Sequence, residues 1–177
     1  MPLVKQGKIS GDAFVHVADD AELPSGGAVL ISAARFLADP DALSRRLGKT
    51  GVIWPNNRDV DDLVPYLDRL GVVALVFPTF RDGRAYSQAR LLRERHEFRG
   101  ELRATGQVLR DQLLFLHRAG FDAFEVTKEK DTAAFAEALQ RYSIFYQPTG
   151  DGRPSALRAR LARGPSSTVP ERQAFVR

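Results

Sequence analysis

The chain has 177 residues, of which 44% are hydrophobic, and this is enough for one domain with a buried core. Its formal charge is +4, from 26 basic and 22 acidic residues, and it contains no cysteine. The lack of cysteine excludes a thiolate nucleophile, a disulfide scaffold and any iron–sulfur cluster or haem ligated by a cysteine of this chain.

The hydropathy and charge patterns narrow the environments and partners to be expected. No stretch approaches the roughly 18 apolar residues that a membrane-spanning helix needs, and the opening MPLVKQGKISGD lacks the apolar centre of a signal peptide. We therefore expect a cytoplasmic protein without a membrane partner. Basic residues are frequent in the centre and at the end of the chain, but no helix-turn-helix, zinc-finger or aromatic RNA-binding pattern accompanies them. No nucleic-acid partner is expected.

The first predicted elements are two short strands, at residues 3–9 and 13–17, joined through the turn residues Ser10, Gly11 and Asp12. This pattern indicates an N-terminal β-hairpin. A turn-rich acidic segment follows, and AVLIS at residues 28–32 is then a short apolar run that is typical of a strand covered on both faces.

From residue 28 onward, predicted strands and helices alternate. Strands are predicted at residues 28–32, 51–54, 72–77, 101–104 and 121–126. Helices are predicted at residues 33–47, 60–70, 86–97, 108–119 and 131–142. Pro40 is predicted to divide the first of them. The second is predicted to be capped by Asp59 or Asp61 and to end at Gly71. On the third helix Ala89, Leu91 and Leu92 are predicted to face inward. Such alternation predicts an α/β fold with a mostly parallel sheet of about five strands and flanking helices.

Two arrangements of this sheet remain open, an open sandwich and a partial β/α barrel, because both have the same local pattern. Residues 1–148 are predicted to form a single α/β domain. Beyond Pro148 the composition changes to Gly, Pro, Ser and Arg, so residues 149–177 are predicted to be a flexible basic tail.

The predicted topology points to one edge of the sheet as the place for binding residues. In parallel α/β sheets, ligands bind beyond the carboxyl ends of the strands, and the loops after the third and fourth of the five strands are rich in polar side chains. We call the set that follows the predicted rim: Arg81, Asp82, Arg84, Tyr86, Ser87, Gln107, Arg110 and Asp111. Arginine forks suit carboxylates, phosphates and sulfite-like oxyanions, so the rim is predicted to bind an anion or a partner. The alternative is that Asp82 and Asp111 pair with neighbouring arginines and only stabilise the loops.

Other kinds of site find little support in the sequence. There is no GxGxxG after the first strand and no Walker-type lysine loop, so no cofactor is evident. The three histidines, His16, His96 and His117, have no spacing typical of metal ligands, so no metal site is predicted. The sequence motifs identify no catalytic residue, so the catalytic residues are unknown.

Three segments together resemble a known bacterial family. They are FxDGRxYSxARLLRxR at residues 80–95, GELRAxGxVLxDQL at 100–113 and GFDAFE at 120–125, and the opening MPLVKQGKI and the run RYSIFYQP add to the likeness. The chain resembles the bacterial domain-of-unknown-function family 934, whose members are commonly described as oxidoreductases involved in sulfite reduction. The resemblance spans most of residues 1–148. It implies an accessory role in assimilatory sulfite reduction, with a sulfite or nitrite reductase haemoprotein, its electron donor or a related sulfur-assimilation enzyme as partner. A small oxidoreductase or anion-binding enzyme that uses the same rim is the alternative.

Overall fold

The computed structural model describes residues 2–126, 137–138, 144–149 and 153–162. The strands are β1 (Leu3–Lys5), β2 (Lys8–Ser10), β3 (Phe14–His16), β4 (Ala28–Ser32), β5 (Thr50–Trp54), β6 (Leu70–Phe77), β7 (Glu101–Gly106) and β8 (Ala123–Glu125). The α-helices between them are α1 (Ala33–Ala38), α2 (Pro40–Ser44), α3 (Arg84–Arg90) and α4 (Leu113–Arg118). A mixed α/β fold is therefore confirmed, and the described residues contain eight strands rather than the five that were predicted.

The strands form one sheet in the order β2-β1-β8-β7-β6-β5-β4-β3. Neighbours from β3 to β8 are parallel, while β1 and β2 add an antiparallel hairpin at one edge. Right-handed crossovers between strands that follow one another in this way place every connecting helix on the same face. This arrangement is that of a partial β/α barrel, and it differs from the open sandwich, in which helices cover both faces.

A three-residue link shows how strongly the sheet is curled. Strands β2 and β3 are the two opposite edges, yet only residues 11–13 separate them in the chain. In a flat sheet of eight strands the edges would be about 34 Å apart. Four residue steps, from Ser10 to Phe14, reach at most about 14 Å. The sheet must therefore curl until its two edges approach each other.

The two faces of the sheet bury different residues. The face under the helices carries the main core, whose fully buried members include Val29, Val52, Trp54, Leu75, Leu102 and Phe124. The inner, concave face carries a smaller cluster of Leu30, Val72 and Ala74, with Phe14 packed against it. A Cβ added at Gly71 would lie 2.9 Å from the Phe14 ring, so this glycine makes room for the aromatic side chain.

The three additional strands explain the difference from the predicted sheet. The N-terminal hairpin exists, but it joins β1 to β2 through Gln6 and Gly7, which have positive φ of 49° and 77°, and not through the predicted turn at residues 10–12. Strand β3 pairs with β4 in parallel. The predicted strand at residues 3–9 is therefore two strands, and the turn between them was missed because a positive φ is uncommon for a residue with a side chain, such as Gln6.

Several predicted helix boundaries are also corrected. The division at Pro40 is confirmed, with Asp39 accepting from the Ala42 N–H at the start of α2. The helix predicted at 60–70 is a 3₁₀-helix, Val60–Tyr66, capped by Asp59. It ends early, because residues 67–69 form a turn and β6 begins at Leu70, so Gly71 lies in that strand.

The helix predicted at 86–97 changes its winding partway along. Helix α3 is followed by a π-helix, Leu91–Arg95. The buried residues Ala85, Gln88, Ala89 and Leu92 follow one another at helical spacing, and Leu91 lies off that face. Leu92 and Ala89 are fully buried as predicted, but Leu91 is 37% exposed, so its predicted inward position is wrong. The helix predicted at 108–119 begins as a 3₁₀ turn, Arg110–Gln112, and continues as α4.

The end of the chain is described only in part. The helix predicted at 131–142 lies outside the described residues except for 137–138, which are helical. Within the predicted tail, Ala156–Ala162 form a short helix with no buried residue, and Ser155 forms a β-bridge with Phe145. The Arg118 guanidinium lies 3.9 Å from the centroid of the Phe145 ring. The single domain at 1–148 and the flexible tail stay predictions.

Candidate functional site

The two loops that carry the predicted rim lie side by side and are hydrogen-bonded to each other. They follow the adjacent strands β6 and β7. The backbone N–H of Gln107 donates to the Phe77 carbonyl at 2.8 Å, and the Gln107 side chain accepts from the Phe80 N–H at 3.2 Å. The Gln112 amide donates to the Phe80 carbonyl at 3.0 Å. The topology therefore brings the two loops together, as the rule on strand ends predicts.

Arg84 and Asp82 form an internal ion pair at the start of α3. The guanidinium Nε and Nη2 donate to Asp82 Oδ1 and Oδ2 at 3.0 and 2.6 Å, and the Arg84 N–H also faces Oδ1, at 3.3 Å. The Arg84 hydrogen bond is the main cause that holds the pKa of Asp82 far below its usual value. The Asn56 amide adds to this lowering, although its Nδ2 makes no hydrogen bond of standard geometry. The Asp82 carboxylate therefore occupies the position where an external anion would meet the helix start.

Arg81 and Arg110 form weaker contacts with carboxylates than Arg84 does. The Arg81 guanidinium lies 5.5 Å from the centroid of the Phe80 ring, and no carboxylate among the described residues pairs with it. Arg110 Nε lies 3.9 Å from Asp111 Oδ1, with both side chains mostly exposed, a contact that contributes little in water. These two arginines are the part of the rim that remains open to a binding partner.

Tyr86 and Ser87 lie apart from those two arginines. The Tyr86 ring packs edge-on against Phe77, with 5.3 Å between centroids, and burial raises the pKa of its hydroxyl to about 12. Tyr86 thus belongs to the core side of α3 and keeps its proton at neutral pH. Ser87 is exposed and points to a different feature, a cavity beside the helix.

That cavity has a volume of about 340 Å³ and lies between the loop after β5 and helix α3. It is lined by Asn56, Asn57, Arg58, Asp59, Val60, Arg84, Ser87, Gln88 and Leu91. Gln88 is 6% exposed, and its Nε2 donates to the carbonyls of Pro55 and Arg58 at 3.1 and 2.7 Å, which fixes the loop. Neither Arg81 nor Arg110 lines this cavity, so the predicted rim is divided between a cavity and an exposed surface.

The exposed surface has an apolar part that the sequence reasoning did not single out. Phe80 is 46% exposed and Leu109 is 43% exposed, and each directly precedes one of the free rim arginines, Arg81 and Arg110. The available signal was the position of these apolar residues inside polar loops, where neither a strand nor a helix face requires them.

A second missed feature is a group of charges on the inner face of the sheet, which we call the Arg103 cluster: Arg103, Asp12, Glu101, Glu125 and Lys5. The Arg103 side chain is fully buried and its guanidinium contacts Asp12 at 2.6 Å, Glu101 at 2.9 Å and Glu125 at 3.3 Å. Lys5 pairs with Glu101 at 2.6 Å. Burial alone would lower the pKa of Arg103, but the Asp12 and Glu101 carboxylates outweigh it and raise that pKa.

The Arg103 cluster ties the link between β2 and β3 to the sheet. Asp12 belongs to this link, and its two oxygens accept from both terminal nitrogens of Arg103. Burial would raise the pKa of Asp12, but the Arg103 hydrogen bonds lower it overall. The alternation of Glu101, Arg103 and Thr105 along one strand was the signal that the inner face is polar here.

Two chemical possibilities can be judged on the described residues. In the part of the chain that the structure describes, no three His, Cys, Asp or Glu side chains are arranged to hold a metal ion. No helix in that part is long and apolar enough to cross a bilayer.

Comparison with known proteins places the chain in a family. No curated protein matches it. The profile of a family described as bacterial proteins of unknown function, DUF934, matches residues 51–157. This range covers more than half of the chain, from β5 to beyond Ser155, and includes both loops of the predicted rim. The chain therefore belongs to the DUF934 family.

Proposed function

We propose that the protein is an accessory protein of assimilatory sulfite reduction. It docks through its arginine-rich rim on a sulfite or nitrite reductase haemoprotein, or on the electron donor of that enzyme. The connection to sulfite reduction is what the family resemblance in residues 80–95, 100–113 and 120–125 implies. The proposal also places the protein in the cytoplasm, together with that reductase.

The exposed half of the rim is the observation that supports docking. Arg81 and Arg110 lie on neighbouring loops that are hydrogen-bonded to each other, and they stand outside the cavity beside α3. The three rim arginines face only two aspartates, so the rim keeps one positive charge. A charged, exposed surface of this kind suits a partner with an acidic face, since complementary charge accelerates association and selects the partner.

The test uses a rim variant that combines Arg81→Ala with Arg110→Ala. The control is Arg99→Ala, which removes an exposed arginine far from the two loops. Binding to the purified reductase haemoprotein and growth on sulfate as sole sulfur source are measured together with the melting temperature. We expect the rim variant to melt like the wild type but to lose binding and growth, while the control keeps both. Growth that merely follows the amount of folded protein would show that the arginines only stabilise the loops.

One observation favours the alternative, a small oxidoreductase or anion-binding enzyme. The cavity beside α3 has the size of a small-molecule site and combines Arg58 and Arg84 with the polar side chains of Asn57 and Ser87. The visible spectrum of the purified protein separates the two functions. A flavin or sirohaem band would favour the enzyme, whereas a colourless protein that co-purifies with the reductase would favour the accessory role.

A further inference from the structure

Phe80 and Leu109 are two exposed apolar residues, one on each of the two hydrogen-bonded loops of the rim, and we call them the apolar pair. Phe80 is 46% exposed and Leu109 is 43% exposed. Each is followed at once by an arginine, so the pair has positive charge beside it on both loops. Aromatic residues and arginine are enriched in the buried centres of protein interfaces.

The two residues are held in place by glutamine side chains. Gln112 connects their backbones directly, because its Oε1 accepts from the Leu109 N–H at 3.3 Å and its Nε2 donates to the Phe80 carbonyl at 3.0 Å. Gln107 accepts from the Phe80 N–H at 3.2 Å. Both polar backbone groups of Phe80 are thus bonded to side chains of the neighbouring loop. The apolar pair is thereby pre-organised, and binding would cost little loop entropy.

We propose that Phe80 and Leu109 are the anchor of the rim, and that the partner offers an apolar recess bordered by carboxylates. The charge of the surroundings argues for this chemistry. Arg81 has no carboxylate partner among the described residues, and Arg110 has only the long contact with Asp111. Acidic groups around the recess would meet these guanidinium groups while the recess covers the apolar pair. Arg84, already paired with Asp82, takes no part in the contact.

Within this arrangement Gln112 is a positioning residue. It does not touch the partner, but it keeps Phe80 and Leu109 in register across the two loops. The inference rests on the proposed function, because it assigns the contact residues for that docking.

The experiment measures the dissociation constant of the purified sulfite reductase haemoprotein for the full chain and its variants, at low and moderate salt. Phe80→Ala with Leu109→Ala should weaken binding by at least about 30-fold, as expected for anchor residues at the centre of an interface. Gln112→Ala should weaken it less, while Gln112→Glu, which keeps only the acceptor for the Leu109 N–H, should not restore it. The matched control changes two exposed apolar residues elsewhere, Ile9→Ala and Leu47→Ala, and should bind within about threefold of the wild type.

The outcomes separate this inference from the proposed function. A wild-type protein that binds neither the reductase haemoprotein nor its electron donor would overturn both. Wild-type binding that survives in the Phe80/Leu109 variant would overturn the anchor and leave the docking intact. A wild-type dimer that the same variant converts to a monomer would also overturn the anchor, because the apolar pair would then serve contact between two copies of the chain.

Discussion

Removing the Arg103 side chain charge should destabilise the fold strongly. In Arg103→Met, the Asp12, Glu101 and Glu125 carboxylates lose the guanidinium that now lies within 3.3 Å of each, and Lys5 is the one cation left in the cluster. Removing one partner of a buried ion pair costs about 3–5 kcal/mol. Because these carboxylates remain partly exposed, we expect the lower end, about 3 kcal/mol of unfolding free energy.

The assay is denaturant unfolding at pH 7 and at about pH 4.5, near the ordinary carboxylate pKa values. In the variant, neighbouring carboxylates raise one another's pKa, so the folded state binds protons more readily than the unfolded state and gains stability as the pH falls. In the wild type, the lowered pKa of Asp12 means that its stabilising contribution is present above its unfolded value of 3.8 and is lost only below it. The difference between the two proteins should therefore shrink at the lower pH.

The exposed Arg99 provides the control, because Arg99→Met removes an arginine whose side chain is 87% exposed. Its unfolding free energy should change by less than about 0.5 kcal/mol at either pH. A loss below about 1 kcal/mol in Arg103→Met, or a loss that is the same at both pH values, would refute the reasoning. It would mean that the carboxylates turn to solvent once the guanidinium is gone.

Three further predictions concern stability. Leu92→Ala and Leu113→Ala, each at a fully buried position, should cost about 2–5 kcal/mol in denaturant titrations, and a shift below about 1 kcal/mol would contradict their place in the core. Gly106→Ala should cost about 1–3 kcal/mol, because φ is +92° and the new Cβ would overlap the Phe77 carbonyl, whereas Gly26→Ala, with open space around it, should be neutral. Truncation after residue 150 should leave the melting temperature unchanged, and a fall of several degrees would show that the tail packs on the domain.

The sequence predicts the central part of the sheet well. Strand β4 has the predicted bounds, and β5, β6 and β7 differ by at most two residues at either end. Strands β4, β5 and β6 are buried, mainly apolar runs between turn residues. The strands at the edges of the sheet are harder to predict from the sequence. Strands β1, β2 and β3 have three residues each, and their pairing depends on the curl of the whole sheet, which no local pattern contains.

In the candidate site, too, contacts between residues close in sequence could be predicted, whereas contacts between distant residues could not. The Asp82–Arg84 pair was foreseen as an alternative, since the two residues are close in sequence and opposite in charge. The hydrogen bond from Phe80 to Gln107 and the pairing of Asp12 with Arg103 join residues that are far apart in the chain, so they emerge only from the fold. The outward position of Leu91 follows from helical spacing, because the buried residues Ala85, Gln88, Ala89 and Leu92 are at i, i+3, i+4 and i+7 and Leu91 lies off that face.

The pairing of Leu3 with Glu125 has a consequence for the synthesis of the chain. Of the eight described strands, β1 is translated first and its partner β8 last, and domains form during synthesis from the N-terminal end. Until β8 has been made, β1 and β2 cannot pair with the rest of the sheet, and the unpaired edge of β7 can pair with a strand of another chain. Strands β1 and β2 are thus translated before the other strands of the described sheet but join it late, and slow translation near residue 125 would prolong the interval in which a nascent chain can aggregate.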